Sequence, residues 1–172
     1  MKVFASRLRR AMWLDPELFE EVEHDHGAGA QALLVVLLAS LAGGVGNLLA
    51  MALLRGQDVA WSSLLVISAG FFVSWVAWSF ITTAIGTSLL GGHSDMGEMQ
   101  RALAFAAAPG LLMLVPGLGV MVGIPWSLVA MVIAVRQACD FTTARALATV
   151  LIGVAVLAII LVPAACVMAS RL

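Results

Sequence analysis

Two clusters of side chains in this sequence have the chemistry to hold a divalent ion. His24, Asp25 and His26 stand before the first long apolar run, and His93, Asp95 and Glu98 follow the second. Imidazole and carboxylate together can ligate such an ion, and the topology expected below puts both clusters on one face of a membrane. The spacing matches no closed structural zinc pattern, and loops at a membrane surface carry polar residues in any case. No metal or other cofactor is therefore assigned, and His24, His26, His93 and Asp95 stand only as candidates. Cys139 and Cys166 occur without a Cys-x-x-Cys pattern, and their expected places on opposite sides of the membrane rule out a disulfide. Cys139 lies beside the expected cytoplasmic interface, where reversible acylation is open to it. The preferred reading is a small packed hydrophobe. Gly91-Gly92 has no preceding strand and no Gly-Lys-Ser/Thr sequel, so no phosphate loop is read there.

The elements that must position these residues are membrane spans. Hydrophobic residues make up 62% of the chain and charged ones 11%, less than half the share of an average soluble domain. The apolar residues fall in four uncharged runs, 30–54, 59–92, 102–135 and 146–170. Each exceeds the roughly 18 residues that mark a membrane-crossing helix. None contains Asp, Glu, Lys, Arg or His, so no intramembrane aspartyl dyad, Ser-His pair or His-Glu-x-x-His zinc site can be assembled. A proton-coupled carrier with a buried intramembrane carboxylate is excluded on the same ground. The expected protein is not an enzyme. A net charge of −1 points to neither a nucleic-acid partner nor a polybasic lipid anchor. With 172 residues the chain is read as one unit, a cytoplasmic N-terminal segment (1–29) leading into a membrane domain (30–172).

The run 102–135 decides the topology. As one helix it would be about 51 Å long, against a hydrocarbon core of about 30 Å. Pro109-Gly110, Pro116-Gly117 and Pro125 interrupt it, so it is either one strongly kinked helix or two short spans. Proline lacks an amide donor and glycine tolerates positive φ, so Pro116-Gly117-Leu118-Gly119 is read as a reversal between two short spans. Five spans with a cytoplasmic N-terminus put Lys2, Arg7, Arg9, Arg10, Arg101, Arg136 and Arg145 inside, and Arg55 and Arg171 outside. Four spans move Arg136 and Arg145 out and Arg171 in, which fits the positive-inside rule less well. The fold class expected is an all-α, polytopic integral membrane helical bundle with five transmembrane helices.

Within the first span Ala39, Ala42, Gly43 and Gly46 form overlapping small-xxx-small pairs that admit a second helix closely. Asn47 should face the protein interior, because an unpaired amide is costly in lipid. Arg55-Gly56-Gln57-Asp58 reads as a short outside loop. Ahead of the membrane, Phe4, Leu8, Ala11 and Met12 repeat at helical spacing among basic residues. Two readings stand there: an amphipathic helix in the interface with its basic residues towards anionic headgroups, or a solvated basic arm. Asp15-Pro16-Glu17 is a helix start, with Asp15 as cap and Pro16 at the first helical position.

Leu14-Asp15-Pro16-Glu17-Leu18-Phe19-Glu20-Glu21-Val22 followed by Gln31-Ala32-Leu33-Leu34-Val35-Val36-Leu37-Leu38-Ala39 resembles the N-terminal half of prokaryotic Yip-domain proteins. Gly91-Gly92-His93-Ser94 leading through Arg101-Ala102-Leu103-Ala104-Phe105-Ala106-Ala107-Ala108-Pro109-Gly110 is similar to the same family. So is Trp126-Ser127-Leu128 followed by Ala134-Val135-Arg136-Gln137-Ala138. The resemblance to the Yip (Ypt/Rab-interacting protein) family runs from Leu14 onwards. It implies a five-span helical domain with a cytoplasmic N-terminus, and no catalytic residue is carried over from it. Eukaryotic members of that family associate with one another and with Rab GTPases in vesicle traffic. Their long cytoplasmic N-terminal regions are reduced here to about 29 residues, which argues against a GTPase partner. The function expected is a scaffold or accessory subunit of a membrane complex in the bacterial cytoplasmic membrane, its partners lipid and other membrane proteins or further copies of itself. The alternative is a small transporter or channel-like component with broken helices at Pro109-Gly110 and Pro116-Gly117.

Overall fold

A computed structural model describes residues 2–54, 56 and 61–169, with the side chains of 160–169 outside the description. The loop residues Arg55, Gln57 and Asp58, the C-terminal Arg171 and the Cys166 side chain therefore lie outside the described part. Seven α-helices and no strand occur among the described residues. Among the described residues three apolar stretches, His26–Leu54, Trp61–Leu89 and Gly119–Ala138, are long enough to cross a membrane, and the described part of the last helix, Thr143–Ile159, is apolar as well.

Local chemistry explains where the helices start. Helix α1 (Lys2–Met12) ends in a turn at Leu14, whose φ is +58°. Helix α2 (Pro16–His24) opens on Asp15, whose carboxylate accepts from the Glu17 amide at 3.1 Å, with Pro16 where no amide is needed. A 3₁₀ turn (His26–Ala28) leads into α3 (Gly29–Leu49), which loosens into a π turn at Ala50–Leu54. Helix α4 (Trp61–Ser88) carries Thr82, Thr83 and Thr87 near its end. Each threonine hydroxyl donates to a carbonyl one turn back at 2.8 Å, so these polar groups are satisfied inside their own helix.

The core is built around α5 (Met96–Ala106). Asp95 and Glu98 form a reciprocal capping box at its start, both hydrogen bonds 2.8 Å long. Met99 and 101–106 are buried, and α2, α3, α4 and α6 (Ile124–Ala138) all pack against this one helix. Its second half, Ala102–Ala106, is apolar and alanine-rich all round, which permits neighbours on every side. Pro109 then ends the α-helical pattern, since it cannot donate to a carbonyl one turn back. The chain continues as a 3₁₀ segment (Ala108–Leu114), which rises more per residue. If collinear, α5 and this segment together reach about 30 Å.

Val115 is extended before Pro116, and Gly117 adopts φ +84°, a conformation glycine enters without strain. The chain turns here into a π turn (Gly119–Gly123) and α6. The two limbs lie side by side, so tightly that a Cβ added to Gly119 would sit 2.4 Å from the Met113 Cα. Helix α7 (Thr143–Ala169) closes the bundle against α4 and α6.

The N-terminal helices pack on this bundle. Ala11, Leu18, Phe19 and Val22 are buried in the same core as α5 and α6, with Phe4, Leu8 and Met12 packed partly against it. The Trp126 indole N–H donates to the Met12 carbonyl at 2.9 Å. The segment is thus the amphipathic helix of the first sequence reading, its apolar stripe turned to protein, and the solvated-arm reading is corrected.

Candidate functional site

Two faces of α3 receive neighbours, and the small residues singled out in the sequence divide between them. Ala39 and Ala42 are buried, and a Cβ on Gly110 would lie 3.4 Å from the Ala39 Cβ. One side of Gly46 meets the 3₁₀ segment at backbone distance, since a Cβ there would fall 1.8 Å from the Met113 carbonyl oxygen. Gly44, which the spacing argument passed over, meets α4: its Cβ would lie 2.7 Å from the Leu64 Cδ1 and 3.1 Å from the Leu64 carbonyl. Gly43 faces open space, with nothing within 4 Å. Asn47 is half-buried, its amide 3.4 Å from the Ser63 hydroxyl and 3.5 Å from the Met51 sulfur. Pro109 and Gly110 are buried at the start of the 3₁₀ segment, while Pro116 and Gly117 occupy the turn.

The polar residues ahead of the first span form an ion-pair clamp. Arg7 donates to Glu21 at 2.8 Å and to Asp25 at 2.7 Å; Arg10 donates to Asp15 at 2.6 Å and also reaches Glu21. The Arg10 guanidinium holds Asp15 and Glu21 below the usual carboxylate range, and Arg7 does the same for Asp25. The basic residues expected at headgroups thus include two that face the following acidic helix instead, because the turn at Leu14 folds α2 back beside α1. Carboxylates with depressed folded-state pKa values stabilise the fold above their unfolded values near 4, and lose that contribution as pH falls through the folded ones. Release of α1 by limited proteolysis should therefore be slow at pH 6 and rise several-fold near pH 3. Equal rates at the two pH values, measured with an acid-active protease and corrected for its own profile, would remove the clamp.

The metal candidates do not come together. His24, His26, His93 and Asp95 are exposed, and the Asp95 carboxylate is committed to the α5 cap. No group of three or more His, Cys, Asp or Glu able to hold a metal ion occurs among the described residues. Cys139 is free, 1% exposed and pushed up to about 12, above all by burial, so it is a packed hydrophobe and not an accessible acylation site.

Two residues gained importance that spacing alone did not assign. Arg101 is buried and donates through Nε to the Val22 carbonyl at 3.0 Å and to the Glu23 carbonyl at 3.1 Å; its Nη2 also reaches the latter. These are terminal carbonyls of α2, where a cation is favoured. Glu23 is 5% exposed, and its Oε2 is buried with no hydrogen-bond partner. Burial foremost raises its carboxyl to about 7, reinforced by Asp140, Glu98 and Glu20. The legible signal was its spacing: Glu23 falls one turn after Phe19, on the stripe formed by Leu18, Phe19 and Val22.

What the arrangement offers is a packing junction, with a short central helix held between α2, α3, α4 and α6. No curated protein and no solved structure matches the chain. The family model of the Yip1 domain matches residues 10–165, a stretch that takes in α2 together with the apolar helices. The chain belongs to the Yip1 domain family.

Proposed function

We propose that the protein is a non-enzymatic, multi-pass membrane scaffold or accessory subunit that packs against other membrane helices. In this reading it sits in the bacterial cytoplasmic membrane with five spans and its N-terminus in the cytoplasm. The observation that carries the proposal is a pair of glycines inside apolar helices whose outer sides meet no other described residue. Among the described residues, a Cβ added to Gly43 of α3 or Gly70 of α4 would meet nothing within 4 Å, and α4 also exposes Leu65, Val66, Val73 and Phe80. Such positions let the backbone of another helix approach closely. Gly46 is unsuitable as a probe of association, because it packs inside the chain. Gly43→Leu together with Gly70→Leu should leave membrane insertion and thermal stability unchanged while removing co-purifying proteins or homo-oligomers from mild-detergent extracts. Association unaffected by both changes would count against the subunit reading.

The transporter reading draws on the broken helices and on a cavity of about 260 Å³ between α4, α5, α6 and α7. Its walls, among them Phe71, Trp75, Trp78, Leu103, Met131 and Leu157, are apolar and offer no charge to select a solute. A liposome flux assay with purified protein separates the two: scaffolding predicts no flux of ions or small solutes.

A further inference from the structure

Glu23 sits on the seam by which α2 is seated on α5 and α6, and its chemistry conflicts with that position. Its side chain is 5% exposed, on a helix whose Leu18, Phe19 and Val22 lie in one continuous core with Met99 and Cys139. One oxygen, Oε2, is sealed from solvent without a partner. A buried ionised carboxylate requires a cation or several donors. The groups around it supply little of either. From α5, Arg101 gives Nε and Nη2 to backbone carbonyls, and Glu98 adds a like charge. From the connection after α6 come Asp140 and the neutral thiol of Cys139, while Arg136 on α6 donates to the Gln137 side chain. Arg7 and Arg10 of α1 are engaged with Asp15, Glu21 and Asp25. On α2 itself Glu20 adds a like charge, and exposed His24 places Nδ1 3.4 Å from Glu23 Oε1 and 3.0 Å from the Glu20 carbonyl. His24 favours the ionised form, and it loses its charge as pH rises.

We propose that Glu23 is a proton-operated latch: with its carboxyl neutral, α2 stays seated on α5 and α6, and ionisation loosens that seat. The sign follows from linkage. A carboxyl that binds its proton more tightly in the seated state favours seating at low pH and opposes it as pH rises from about 4.5 through about 7. Between pH 6 and pH 8 the seating equilibrium should fall about tenfold. A change in cytoplasmic pH would thus alter how firmly the N-terminal helices cover α5.

Hydrogen exchange of the α2 amides in the full-length protein, in micelles and corrected for intrinsic rates, tests this. Wild-type protection should drop about tenfold from pH 6 to pH 8, and in Glu23→Gln it should stay constant. Asp140→Asn gives a second variant that keeps the fold, since asparagine suits the φ of +53° at that position. Removing that like charge should shrink the pH-dependent drop. Parallel behaviour of wild type and both variants would overturn the latch. A pH-independent wild type would do the same.

Discussion

Gly46→Ala is expected to be the most damaging single-methyl change in the chain, costing upward of about 3 kcal/mol. The added Cβ would lie 1.8 Å from the Met113 carbonyl oxygen and 2.8 Å from its carbonyl carbon. Both are backbone atoms, so no rotamer change relieves the overlap, and α3 must move away from the 3₁₀ segment Ala108–Leu114. That movement also opens the contact between Ala39 and Gly110, and with it the support for the turn at Gly117. In a protein of this size the loss corresponds to a melting temperature at least about 6 °C lower. Gly43→Ala is the matched control. It lies three residues earlier on the same helix with nothing within 4 Å, and alanine favours a helix over glycine by up to about 1 kcal/mol. Thermal unfolding of the two variants in one detergent decides the matter. Equal melting temperatures would mean that α3 and the 3₁₀ segment are not in backbone contact.

Arg101→Ala should be next in size, at about 2–4 kcal/mol, with its effect concentrated on α2. The guanidinium joins the carbonyls of Val22 and Glu23, at the end of α2, to the middle of the central helix. Without it those carbonyls face a buried region with no donor, and an unsatisfied buried acceptor costs about 1–3 kcal/mol. The arginine stem also fills space between α2 and α5. Arg101→Lys keeps the charge but gives up the planar fork that spans two carbonyls, so an intermediate loss is expected. Melting temperatures should fall in the order wild type, lysine, alanine, with the extra hydrogen exchange confined to α2 and α1. An alanine variant within about 0.5 kcal/mol of wild type would show that the contact carries no net stability.

How far the sequence reached depended on the range of the interaction involved. The uncharged runs follow from composition, and the all-helical fold with three long apolar stretches agrees with them. The Asp15-Pro16-Glu17 start was readable because a cap needs only the next two residues, and its hydrogen bond forms within that distance. The φ of +84° at Gly117 likewise reflects local chemistry, glycine following proline. Membership in the family was legible from the order of several loose matches, and the Yip1 domain model spans all of them.

Tertiary structure decided what rotation and distance decide. Successive residues of a helix point about 100° apart, so Gly43, Gly44 and Gly46 look alike in sequence yet face open space, α4 and the 3₁₀ segment. Asp95 and Glu98 read as ligands in a list of polar residues, and the start of α5 made them a cap. The acidic stretch after α1 was legible as charge; that it answers Arg7 and Arg10 required the chain to fold back at Leu14. Arg101 and the end of α2 are separated by 78 residues, beyond the reach of any local pattern. The sequence alone therefore determined a helical membrane protein and its family. Only packing determined which small residues touch, which charges are answered, and that the carboxylate of Glu23 is buried without a partner.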